Sequence, residues 1–200
     1  MNKIIPSHVA ILVPSVNKAL GFLSKFNLPF GKINEFESEG TREVYFGDNI
    51  SNSLLLMEAI KEGPYKHAFD KRGPGLHHLA IDVENLDVFI TKISSSGWLL
   101  HPMSLTTIKN SKTAYLARPG FPALIEVHEK SELNIIEPEN LNYKGNENKE
   151  ALFVKEINLK MNFDLSYLLK PIGLDKIVKP SVNKGSINID DNIFNFEELF

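Results

Sequence analysis

The chain is predicted to be an α+β protein built from two copies of one βαβββ module. Three observations lead there. The segments His8-Val-Ala-Ile-Leu-Val and His78-Leu-Ala-Ile-Asp-Val recur seventy residues apart, and self-similarity at a fixed period marks a duplicated structural unit. The match continues past the strand, pairing Val13 with Val83, Val16 with Leu86, Leu20 with Ile90 and Leu23 with Ile93. Each copy therefore runs from a strand into an amphipathic helix, and three short β-rich runs broken by turn residues follow in each.

Module one covers residues 6–60. Its first strand holds His8 to Val13, and its helix follows Ser15, an N-cap type, with Val16, Ala19, Leu20 and Leu23 at helical spacing. Further strands are expected at Gly31–Glu37, Arg42–Phe46 and Ser53–Ala59, with Gly40 and Gly47-Asp48-Asn49 as the turns. Residues 61–75 link the copies. Module two covers 76–130: a strand at Leu76–Val83, a helix from Leu86 capped by Asn85, and strands at Trp98–His101, Lys112–Ala117 and Ala123–His128.

Residues 131–200 are expected to be a linker and a C-terminal extension. Residues 131–148 are rich in Asn and Glu and read as exposed. A weaker echo follows, with strands at Phe153–Leu159, Ile177–Val182, Ser186–Ile189 and Ile193–Phe196 and a helix near Leu165–Leu169. It resembles a third βαβββ half-module without the histidine; Glu156 falls near the position of His8. Its expected role is structural, covering an edge or joining a dimer interface.

Composition narrows the function. The 200 residues are 42% hydrophobic, enough for a sizeable core, and a net charge of -3 gives no sign of a nucleic-acid partner. No apolar run approaches the ~20 residues that span a bilayer, and Met1 leads straight into the first strand with no signal-type segment, so a cytoplasmic protein without a membrane partner is expected. With no cysteine, disulfides, thiolate metal sites and cysteine nucleophiles are excluded.

Strand alternation then sorts the faces. His8, Ala10 and Leu12 share one face, as do His78, Ala80 and Asp82, while the β-branched set opposite belongs under the helices. Alanine two residues after each histidine leaves space before the imidazole. In Ala123-Leu-Ile-Glu-Val-His-Glu129, Glu126 lies in an apolar stretch, and a carboxylate there is costly unless it is paired or bound to a cation. His8, His78 and Glu126 form a facial set suited to one divalent ion, Co, Ni, Zn, Mn or Fe. Aligning the copies places Leu55 opposite Glu126, and Glu58 opposite Glu129. Tyr45 and Tyr115 either line the cup as substrate-binding residues or pack, and His128, on the face of Glu126, is a candidate near the mouth. His77 should face away from His78.

These segments resemble a known superfamily. Gly73-Pro-Gly-Leu-His-His-Leu-Ala-Ile-Asp-Val83 resembles the second-module signature of the vicinal oxygen chelate superfamily, which includes glyoxalase I, extradiol dioxygenases and methylmalonyl-CoA epimerase. Ser7 to Ser15 is similar to its first-module start, and Lys112 to Pro119 with Leu124 to Val127 to its closing hairpin; the resemblance spans residues 5–130. It implies that the two βαβββ modules form one cupped mixed sheet, glyoxalase-like, around a divalent metal. Phe69 to His78 is locally similar to methylmalonyl-CoA epimerase. That likeness carries the metal ligands onto His8, His78 and Glu126, a further ligand position onto Leu55, and a catalytic acid–base residue onto Glu37 or Glu39, before Gly40; residues 106–112 depart from the family's loop.

The resemblance implies an epimerase- or lyase-type enzyme acting on a carbonyl compound or acyl-CoA. Alternatives are an Fe(II) ring-cleaving-type dioxygenase using the His-His-Glu set, and a non-catalytic small-molecule binding or resistance protein. The partner expected in every case is a small molecule, and a homodimer is compatible with the sequence.

Overall fold

The computed structural model describes residues 3–47, 52–130, 153–161, 166–182, 185–190 and 192–200. Residues 131–148, expected as an exposed linker, lie outside them.

Module one contains β1 (Ile4–Leu12), α1 (Val16–Leu23), β2 (Asn34–Phe36), β3 (Thr41–Phe46) and β4 (Ser53–Ala59). Module two follows a connecting helix α2 (Pro64–Arg72) and contains β5 (Gly75–Val83), α3 (Leu86–Ile93), β6 (Leu99–Leu100), α4 (Ser104–Ser111), β7 (Thr113–Ala117) and β8 (Leu124–Glu129). The eight strands form one sheet in the order β2-β3-β4-β1-β5-β8-β7-β6. In each module the first strand pairs parallel with the last, β1 with β4 and β5 with β8, and the modules join where β1 pairs antiparallel with β5. The cup therefore closes within one chain.

The helices form where the sequence places them. The Ser15 side chain accepts from the Lys18 amide at 3.4 Å, and Asn85 from the Val88 amide at 2.9 Å. A strand carboxylate adds to each cap: Glu58 accepts from Val16 N at 2.9 Å and Glu129 from Leu86 N at 2.9 Å. Both put negative charge on a helix N-terminus, where the unsatisfied amides and the dipole favour it. Val9, Ile11, Leu79 and Ile81 bury against Val16, Leu23, Phe89 and Ile93 in one core.

Two helices escaped the sequence reading. α2 begins with proline at its first turn, after Gly63, and ends at Gly73. It sits on the other face of the sheet, where Tyr65, Ala68 and Phe69 pack on Ala10, Leu12, Leu55 and Met57. α4 lies between β6 and β7; its Ser104 hydroxyl accepts from Tyr115 N at 2.8 Å and donates to Tyr115 O at 3.0 Å, standing in for a neighbouring strand.

The tail contains β9 (Val154–Lys160), α5 (Ser166–Leu169), β10 (Val178–Ser181), β11 (Ser186–Ile189) and β12 (Asn192–Asn195). The βαβββ order is present, but the strand order is β10-β9-β11-β12, not that of a module. Its first strand is central, parallel to β10 and antiparallel to β11, because the short α5 crossover returns the chain directly beside it. Glu156 accepts from Asn158 at 3.0 Å within this sheet. The tail packs into the helix-side core: Phe194 meets Phe22 and Phe26 with ring centroids 5.9 and 4.9 Å apart, and Trp98 donates to Leu168 O at 2.9 Å. Among the described residues no helix is long and apolar enough to cross a membrane.

Candidate metal centre

The strand ladder sets the site. β1 and β4 run in register as Ala10 opposite Leu55, and β5 and β8 as Ala80 opposite Glu126. His8 and His78 lie two residues before these alanines, so both imidazoles and the Glu126 carboxylate look into the same space. His8 Nε2 is 3.1 Å from His78 Nε2, and Glu126 Oε2 is 3.1 Å from His78 Nε2 and 3.8 Å from His8 Nε2. One ligand atom from each of the three lies within 4.8 Å of the others. Both histidines are buried, at 8% and 4% exposure. Two ring nitrogens and a carboxylate oxygen converging in a dry space form a donor set that fits a divalent transition metal.

The surroundings divide the carboxylate. Tyr115 donates its hydroxyl to Glu126 Oε1 at 2.8 Å, and His128 Nε2 lies 3.4 Å from the same oxygen. Oε2 is thus the oxygen turned to the histidines. Burial pushes the Glu126 carboxyl up, but hydrogen bonds and charge from His128 and His78 overcome it and hold the group well below the usual range. His128 also pairs with Asp82 at 3.4 Å, and Lys130 Nζ reaches Asp82 at 2.6 Å. Burial lowers His128, yet Asp82 and Glu126 outweigh it and raise it to about 9. His8 is different: burial, with His78 adding to it, lowers its pKa to about 3 against the opposing pull of Glu126. Tyr45 sets its ring edge-on to His8, centroids 5.6 Å apart.

Glu37 and Glu39 are both exposed. Glu37 pairs with Lys61, and Glu39 accepts from the Tyr65 hydroxyl at 3.3 Å. A further buried acid on the cup face, not among the residues singled out from the sequence, is Glu43. It is 7% exposed, on β3 opposite Met57, and its Oε1 accepts from the Thr41 hydroxyl at 2.7 Å. Burial is the main cause of its raised pKa; the Thr41 bond opposes this, while Glu39 and Glu126 add to it. A signal was present: alternation from Tyr45 back by two puts Glu43 on the Tyr45 face. Leu55 is 3% exposed in the apolar floor with Ala10, Leu12 and Met57, so the fourth position near the histidines carries no donor.

His77 departs from the alternation rule. Its Nδ1 lies 2.9 Å from His78 Nδ1, and its ring packs on Tyr65 with centroids 5.1 Å apart.

Residues 7–115 match the Glyoxalase/Bleomycin resistance protein/Dioxygenase superfamily. That is more than half of the chain, and the chain belongs to this superfamily. Among solved structures, a hypothetical protein from Bacillus halodurans C-125 is 26% identical, with a TM-score of 0.53 over 66% of this chain and 96% of that one. A selenomethionyl methylmalonyl-CoA epimerase is 19% identical, with a TM-score of 0.52 over 65% of this chain and 99% of that one, a likeness of fold. No curated protein matches the chain.

Proposed function

We propose that this chain is a divalent-metal-dependent enzyme that moves a proton at the carbon beside a carbonyl. The reaction is of epimerase or lyase type, and the substrate class is an acyl thioester such as an acyl-CoA. The observation that carries this reading is the presence, in one buried cup, of the His8–His78–Glu126 set and of a separate carboxylate, Glu43, whose proton affinity burial has raised. A divalent cation held by the three ligands supplies the positive charge that makes the α carbon of a carbonyl acidic.

The chain's own groups do the rest. Glu43 is the base. Its Oε1 accepts from Thr41, so Oε2 is the oxygen that takes the substrate proton, and a carboxyl raised by burial is closer to the pKa that efficient proton transfer needs. β3 lies two strands from β1, or about 10 Å across the sheet. The apolar floor between them, Ala10, Leu55 and Met57, is covered by Tyr65, Ala68 and Phe69 of α2, so a substrate reaches base and ligands by displacing that helix. Tyr115 and His128 hold Glu126 in place through Oε1. Glu39 and Tyr65, joined by their hydrogen bond, are candidates for substrate contact at the rim, with Glu37 further out.

Metal-loaded protein incubated with methylmalonyl-CoA in D2O should take up deuterium at the α carbon, read by mass spectrometry. Glu43→Gln should slow this by roughly 10²–10⁴-fold. Exchange at the wild-type rate in Glu43→Gln would remove Glu43 from the reaction. Absence of exchange with every one of the five metals would overturn the reaction class. The donor-free side chain at Leu55 favours a second reading, an Fe(II) ring-cleaving dioxygenase using a three-ligand set; Fe(II)-dependent oxygen uptake with a catechol would select it.

A further inference from the structure

We infer that the residue just before each metal-binding histidine, Ser7 in β1 and His77 in β5, is that histidine's positioning partner, delivered to it by a β-bulge common to both modules. The inference rests on His8 and His78 being metal ligands.

In a regular strand, consecutive side chains point to opposite faces. Ser7 could not then reach the ring of His8, nor His77 that of His78. The β1–β5 ladder breaks this rule twice. Pro6 faces Ile81 and His8 faces Ala80, so Ser7 is the extra residue; Ala10 faces His78 and Ile11 faces Leu76, so His77 is the extra residue. A bulge re-aims the side chain that it releases from the ladder. Here Ser7 Oγ comes 3.4 Å from His8 Nδ1, and His77 Nδ1 comes 2.9 Å from His78 Nδ1.

The chemistry follows from which nitrogen is used. The Nε2 atoms of His8 and His78 are the pair that meets Glu126. A histidine that binds metal through Nε2 carries its proton on Nδ1 and needs an acceptor there to fix ring and tautomer. Ser7 Oγ and His77 Nδ1 are those acceptors. The two are unequal. Ser7 sits at the limit of hydrogen-bond length, whereas His77 is close and is held from behind by Tyr65 of α2. His77 therefore ties the module-two ligand to the helix that covers the cup.

Two substitutions separate positioning from packing. His77→Asn keeps an acceptor near the Nδ1 position and loses the ring; His77→Phe keeps the ring against Tyr65 and loses the acceptor. Co(II) affinity, measured by chelator competition, and the Co(II) visible spectrum are read for both, with thermal melting of the metal-free proteins as the folding control. The phenylalanine variant should bind Co(II) about 10–100-fold more weakly with an altered spectrum, and the asparagine variant should stay within a few-fold of wild type. Wild-type affinity and spectrum in His77→Phe, or an equal loss in both variants, would overturn the inference. Wild-type protein that binds no Co(II) would instead overturn the metal centre, and this assignment with it.

Discussion

On the helix side, module one and module two are nearly interchangeable. Ser15 and Asn85 cap their helices in the same way, and Glu58 and Glu129 each accept from the first helical amide at 2.9 Å. On the cup side the same lattice positions have diverged. His8 matches His78, Ala10 matches Ala80, and Tyr45 matches Tyr115; but Leu55 stands where module two has Glu126, Leu12 where it has Asp82, Met57 where it has His128, and Glu43 where it has Thr113. Module one thus offers an apolar floor with one buried acid, and module two a charged chain running Lys130–Asp82–His128–Glu126. The helix face must fill a shared core, and close packing penalises change there. The cup face can change so long as buried charges keep partners.

Making the halves alike should have the largest effect. Glu126→Leu gives module two the residue of module one and should weaken metal binding by more than the 10–100-fold that outer partners cost, measured by chelator competition with Zn(II) or Co(II). The reverse change, Leu55→Glu, should destabilise the metal-free protein, since it buries an unpaired charge, and added metal should restore the melting temperature. Metal affinity unchanged in Glu126→Leu would remove Glu126 from the ligand set, and with it the main difference between the two halves.

A smaller contrast lies in pH. His8 is lowered to about 3, chiefly by burial, so its contribution to the metal-free protein is complete above its unfolded value of 6.5 and is lost as pH falls below it. His128 is raised to about 9 by Asp82 and Glu126, so its contribution is complete below 6.5 and is lost as pH rises through 9. Unfolding free energies of the metal-free protein, from denaturant titrations, should fall on both sides by roughly a few kcal/mol per limb. His128→Gln should flatten the alkaline limb and, because His128 also holds Glu126 and Asp82 low, shift the acid limb; an unchanged alkaline limb would count against the Asp82–His128–Glu126 arrangement.

The smallest effect tests the sameness of the helix side. Glu58→Ala and Glu129→Ala should each cost about 1 kcal/mol, by equal amounts, in urea unfolding. A large difference would show that the two modules are unequal there as well, with the Arg42–Glu58 pair at 3.6 Å and the tail on the helix-side core as the features that differ.

The duplication, the helix caps and the two matching histidines are legible in the sequence, because hydrophobic alternation and helical spacing are local properties that recur with the copy, and Glu126 stands out as a carboxylate in an apolar strand. The remaining features come from long-range packing. Glu43 faces the cup because β3 is placed beside β4, and α2 covers the floor although its sequence has little amphipathic pattern to announce it. The tail repeats the order of a module in one dimension but pairs its strands differently, since pairing is chosen by the length of the crossover and by what the neighbouring core will bury.

Periodicity and repeat were therefore enough to give the order of the two modules and to bring three candidate donors onto matching faces; the cup itself followed from the resemblance to the superfamily. They could not show which residues surround those donors, because a bulge that adds one residue reverses a side chain's face, as at Ser7 and His77. Whether a ladder bulges depends on the partner strand across it, and that partner lies some seventy residues away in the chain.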